Sequence, residues 1–139
     1  EGDAAAARET FARAGESLGD ALATINAIVD GIAVIGGGIA RARELLMPAA
    51  MRALNGVLDS PTGEPADRME MKAFFLDDPG DAARFLAPTT VPVPVPGTSR
   101  VVDYDPVKRM GVTITRLGTS KAVALGAYAF ALDKLDRER

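Results

Sequence analysis

Two segments of this chain join a short apolar strand, a glycine turn and a helix, and they constrain its fold more than any other feature. The first is Ile32-Ala33-Val34-Ile35, which runs into Gly36-Gly37-Gly38 and then a helical pattern from Ile39 to Asn55. An apolar run without polar alternation suits a strand covered on both faces, so this one is predicted to be central and parallel. The second is Val112-Thr113-Ile114-Thr115-Arg116-Leu117, rich in β-branched residues. It ends in Gly118-Thr119-Ser120, and a helix follows from Lys121 to about Arg137. Strands alternating with helices predict an α/β fold of few, mostly parallel strands with flanking helices.

The remaining segments are less regular. Phe11, Ala14, Leu18, Leu22, Ile25 and Val29 recur at helical steps, with Asp3 placed to cap the start and Asp30-Gly31 to stop the helical segment. Gly15 and Gly19 interrupt this pattern, each costing up to about 1 kcal/mol relative to Ala, and predict a kink or a break into two helices. Pro48 predicts a kink or a fresh start in the next helix. Residues 57–71, with Pro61, Gly63 and Pro65, read as an excursion of low regularity. Lys72 to Leu76 reads as a short strand, and Asp77-Asp78-Pro79-Gly80 as the start of a brief helix to about Leu86. Val91-Pro92-Val93-Pro94-Val95-Pro96-Gly97 is barred from a central strand and is expected to be extended, on the surface or an edge. In the last helix, small residues beside Leu125 and Leu132 predict close approach to a neighbour, and Asp133 to Arg139 a solvated end.

Composition removes whole classes of function. With 16 Lys+Arg against 19 Asp+Glu the net charge is −3, so there is no basic footprint for nucleic acid or a membrane surface. Zero His and zero Cys exclude zinc fingers, disulfides, thiol nucleophiles and imidazole bases. No apolar run reaches the roughly 18 residues of a membrane span. The 139 residues suit one domain. The opening on Glu1, with no leader, is expected of a piece of a longer protein. Lack of cysteine fits a reducing, cytoplasmic setting.

The candidate chemistry lies at the glycine turns. Gly36-Gly37-Gly38 lets a phosphate or ribose approach main-chain N–H groups, and the helix start beyond it favours an anion. The alternative is a tight turn that touches no ligand. A P-loop is excluded because Ala40-Arg41-Ala42 stands where Lys-Ser or Lys-Thr belongs. A dinucleotide fingerprint is disfavoured by Arg41 in the place of its third small residue. Thr119 or Ser120 is read as a helix cap, and Asp103, Tyr104, Asp105, Lys108 and Arg109 as a solvated turn rather than a polar site. No carboxylate pair or activated nucleophile forms a complete active site.

The stretch Asp30-Gly31-Ile32-Ala33-Val34-Ile35-Gly36-Gly37-Gly38-Ile39-Ala40 resembles the nucleotide-side segment of ROK-family, glucokinase-like sugar kinases of the actin-like ATPase superfamily. Leu117-Gly118-Thr119-Ser120-Lys121-Ala122-Val123-Ala124-Leu125-Gly126-Ala127-Tyr128 is similar to that family's last strand and helix, and Lys108 to Val112 to its glucokinase-like subgroup. The resemblance covers about 1–56 and 100–135 and leaves 57–99 as an expected lineage-specific insertion. It implies a carboxy-terminal, ribonuclease H-like domain of an enzyme that passes the γ-phosphoryl of ATP, with Mg, to a hexose. It also implies that Gly36, Gly37, Gly38 and Ile39 face the nucleotide, and that the protein forms homo-oligomers, typically dimers. The family's catalytic aspartate, phosphate-binding Asp-x-Gly element, sugar-binding residues and zinc site have no match here. The chain alone is therefore expected to be inactive. A sugar-responsive regulator on the same scaffold, a nicotinamide-binding domain and a non-binding module are the rival readings.

Overall fold

The computed structural model describes residues 3–59 and 63–138; Glu1, Pro61 and Arg139 lie outside them. Helix α1 spans Ala4–Asn26, and the Asp3 carboxylate caps it by accepting from the N–H groups of Ala5 and Ala6 at 2.9 and 3.2 Å. It is followed by β1 (Ala33–Ile35), a 3-10 turn (Gly38–Ala42) and α2 (Arg43–Leu54). Then come β2 (Val57–Asp59), β3 (Pro65–Asp67), β4 (Lys72–Phe75), α3 (Pro79–Leu86), β5 (Val91–Pro94), β6 (Val101–Tyr104), β7 (Arg109–Ile114) and α4 (Thr119–Arg137). Strands β1, β7 and β4 form a parallel sheet in that order, with Ala33 beside Val112 and Phe75 beside Val112 from the other side. Helices α1 and α2 cover one face, burying Leu22, Met47, Ala50 and Leu54 against Ala73, Met110, Val112 and Ile114. On the other face Phe74 meets Phe85 of α3 edge to face, centroids 6.1 Å apart.

Glycine does not break α1. Gly15 and Gly19 lie within one continuous helix and are buried against α2. A Cβ on Gly15 would stand 2.3 Å from the Leu46 carbonyl oxygen, and one on Gly19 2.6 Å from that of Ala50. Their missing side chains let the two helix backbones approach, and this packing outweighs the propensity cost. It also turns the buried face toward Gly15, Gly19, Leu22, Ala23 and Asn26, leaving Ile25 and Val29 exposed. Pro48 sits on the exposed side of α2 without ending it; the new helical start comes earlier, at Arg43, where the 3-10 turn gives way.

The segment 57–71 is more regular than expected, because β2 and β3 pair antiparallel from Val57↔Asp67 to Asp59↔Pro65. The proline-rich segment also forms a hairpin, β5 with β6, in the register Val91↔Tyr104 to Pro94↔Val101. Val95 N–H donates to the Arg100 carbonyl at 2.9 Å, which sets the parity: valine amides face β6, and Pro92 and Pro94 fall on the outer edge, where no donor is required. Arg109 anchors this hairpin through Asp105 Oδ2 (2.8 Å), Thr89 Oγ1 (2.7 Å) and the Ala87 carbonyl (3.1 Å). The Asp105–Arg109 group is thus a brace and not a site. The Arg109 guanidinium first, and then the Val107 N–H, hold the Asp105 carboxyl below its ordinary range.

Three further expectations are corrected. Strand β1 is parallel but lies at the sheet edge, with Val34 61 % exposed, because its outward face and outer edge have no cover among the described residues. The expected hydroxyl cap of the last helix is displaced: Gly118, at φ 71°, takes the cap position and Thr119 is already helical. Helix α4 is exposed along its described length, so its small residues are not packed against a neighbour among the described residues. No described helix is long and apolar enough to cross a membrane.

Candidate functional site

All three strands of the sheet are parallel, so their carboxyl ends meet along one side, where open α/β sheets bind ligands. Strand β1 delivers Gly36-Gly37-Gly38 there, β7 delivers Thr115 to Gly118, and β4 delivers Leu76 to Asp78. The two glycine turns, some 80 residues apart in sequence, are neighbours because β1 pairs directly with β7. Thr115 N–H donates to the Ile35 carbonyl at 2.9 Å and extends that pairing to the brink of the turns.

Between the turns lies a cavity of about 570 Å³ lined by Gly37, Gly38, Ala40, Arg41, Arg43, Glu44, Ile114, Thr115, Gly118 and Ser120. Gly37 and Gly118 have φ of 94° and 71°, in the region that favours glycine, and nothing stands within 4 Å of where a Cβ would be on Gly37, Gly38 or Gly118. Main chain is therefore exposed to the cavity from both walls. Of the four residues singled out in the sequence, Gly37 and Gly38 line this cavity. Gly36 and Ile39 flank the turn outside the lining, and Ile39 is about half exposed.

A second cavity of about 880 Å³ adjoins it across the end of β7, lined by Arg43, Phe75, Leu76, Asp77, Asp78, Pro79, Ile114, Thr115 and Arg116. Arg43, Ile114 and Thr115 belong to both. Arginines 41, 43 and 116 thus surround the cleft, opposed by Glu44, Asp77 and Asp78. Asp77 is held in place by Thr113, whose hydroxyl donates to Oδ1 at 2.6 Å. Arg41 was legible in the sequence only as an obstacle to a dinucleotide fingerprint; Arg43, Arg116 and Asp77 were not legible as a group, since nothing local says that β4 lies beside β7. Among the described residues no group of three or more His, Cys, Asp or Glu is arranged to hold a metal ion. The cleft offers glycine backbone, helix-start donors and cations, a set suited to phosphate oxygens rather than to proton transfer.

No protein-family model and no curated protein sequence matches the chain. Among solved structures it is similar to the crystal structure of a glucokinase from Parabacteroides distasonis ATCC 8503, with 39 % sequence identity and a TM-score of 0.78. That match covers 95 % of this chain and 35 % of the glucokinase chain, so the chain spans about a third of the length of the protein it matches. The resemblance carried by the two glycine segments extends across nearly the whole chain, including most of 57–99: the sequence is similar to a stretch of that glucokinase.

Proposed function

We propose that the chain is the nucleotide-facing, carboxy-terminal part of an ATP-dependent hexose kinase of the ROK family, built on the actin-like ATPase fold. The observation that carries this reading is the meeting of both glycine turns at one cavity on the carboxyl side of a parallel sheet. The likeness to a glucokinase supplies the reaction class. In this reading Gly37 and Gly38 present main chain to the adenosine and phosphates, while Gly36 and Ile39 shape the turn. Arg41, Arg43 and Arg116 attract the phosphate charge. Mg, when bound together with ATP, would supply neutralisation of the phosphate charge beside Arg41, Arg43 and Arg116.

Phosphoryl transfer requires nucleotide, metal, base and acceptor to be positioned together. The chain carries one side of that assembly, so it binds nucleotide without turning over hexose. Segment 57–99, most of which that glucokinase shares, is an addition common to both chains, and from it β4 joins the sheet. Self-association, the dimer expected of the family, uses the β1 edge. The outward donors of β4 are already taken, Ala73 N–H by Asn55 Oδ1 at 2.9 Å and Phe75 N–H by Asp81 Oδ2 at 3.0 Å. The cytoplasm is the corresponding setting. Calorimetric titration with ADP and with NAD, beside a coupled ADP-release assay with glucose, tests the proposal. Saturable ADP binding without turnover is expected; preference for NAD, or robust turnover by this chain, would refute it.

A further inference from the structure

Arg43 occupies a singular place in the cleft. It is the first residue of α2, directly after the 3-10 turn that leaves Gly37-Gly38, and it lines both cavities at the strand ends. Its guanidinium faces Asp77 Oδ2 at 3.7 Å, beyond hydrogen-bond reach, and donates no hydrogen bond among the described residues. The two partners are unequal. The Asp77 side chain is 19 % exposed and fixed by Thr113 at 2.6 Å, whereas the Arg43 side chain is 52 % exposed. The carboxylate is the fixed post and the arginine the movable arm. An arginine has five donors in a planar fork suited to phosphate oxygens, and among the described residues none of those of Arg43 makes a hydrogen bond.

We infer that Arg43 is shared between Asp77 and an anionic ligand in the glycine cleft, so that Asp77 holds it aside until a phosphate-bearing ligand draws it across. This rests on the reading of the cleft as a nucleotide site and adds a specificity residue with a built-in competitor. An anion in the 570 Å³ cavity offers Arg43 hydrogen-bonded charge pairing in place of a long ion pair. Asp77 then weakens binding by competition for that one side chain, and not only by its own charge. The linkage is reciprocal: whatever loosens the Arg43–Asp77 pair tightens the ligand.

The test is a double-mutant cycle read by ADP titration, with inorganic pyrophosphate as a second probe that lacks the base. Asp77→Asn keeps the Oδ1 acceptor used by Thr113 and removes the charge facing Arg43. It is expected to tighten ADP about two- to fivefold, the worth of a partly exposed ion pair. Arg43→Ala is expected to weaken ADP about tenfold, as loss of a charge-assisted contact does. In the Arg43→Ala background the gain from Asp77→Asn should vanish, and the same pattern should hold for pyrophosphate. An equal gain from Asp77→Asn with and without Arg43, or ADP affinity unchanged by Arg43→Ala, overturns the inference while leaving the nucleotide site standing. Absence of ADP binding by the unaltered protein overturns both. Thermal melts of the variants separate folding from binding, and Arg43→Gln serves if Arg43→Ala melts early.

Discussion

Substituting alanine for Gly15 sets two physical rules against each other, and the structure decides between them. By helix propensity alone, Gly→Ala in the interior of α1 should stabilise by up to about 1 kcal/mol. The new Cβ, however, would stand 2.3 Å from the Leu46 carbonyl oxygen, 2.9 Å from Ala49 Cβ and 3.2 Å from Ala50 N. Two of those atoms are backbone of a packed helix, so α2 must retreat and the contact between the helices loosen. Overpacking of this kind costs about 1–3 kcal/mol. Against the propensity gain, a net loss of about 1–2 kcal/mol is expected, a fall in Tm of about 3–6 °C for a domain of this size. Gly19→Ala, facing Ala50 O at 2.6 Å and Ala53 Cβ at 2.7 Å, should behave alike. Gly126 in α4 has nothing within 4 Å, so Gly126→Ala should only raise helix content. Urea unfolding followed by far-ultraviolet circular dichroism reads all three. A Gly15→Ala protein as stable as the unaltered one would show that the α1–α2 contact is not as close as described.

Two further outcomes follow from single residues. Gly118→Ala places an L side chain at φ 71°, which costs about 1–3 kcal/mol and tilts the second wall of the cleft; ADP affinity should fall with stability, whereas unchanged melting would contradict the backbone assignment. Asp105, whose carboxyl is held low chiefly by Arg109, contributes stability above its ordinary value near 3.8 and loses it as pH falls through its lower folded value. Amide exchange at Val93 and Val102 should therefore accelerate below that pH, and Arg109→Gln should bring the same exposure at neutral pH; protection that ignores both changes would remove the brace.

What the sequence disclosed was local chemistry. Asp3 and Asp78 announce their helices because a cap is settled within three residues: Asp78 accepts from Asp81 N–H at 2.8 Å and Pro79 stands at the first turn. The strand–glycine units were legible for the same reason. The misreadings involve partners far along the chain. Gly15 and Gly19 look like helix breakers until α2, some 30 residues later, lies against them. The alternate prolines look hostile to pairing until the parity of the β5–β6 register puts them outside. Nothing local says that β4 borders β7, and so Asp77, Arg43 and Arg116 went unseen as a group. The apolarity of β1 on both faces pointed to a central strand, whereas β1 lies at the sheet edge with Val34 exposed, because the strand that would pair with it is not among the described residues.

The central claim is that both glycine turns face one nucleotide, and residue-resolved amide spectra of the isotopically labelled protein titrated with ADP test it most directly. Shifts concentrated at Gly37, Gly38, Gly118 and Ser120, saturating together with a single affinity, are the predicted result. Shifts confined to one turn, scattered over the hairpins, or absent at saturating ADP would contradict it.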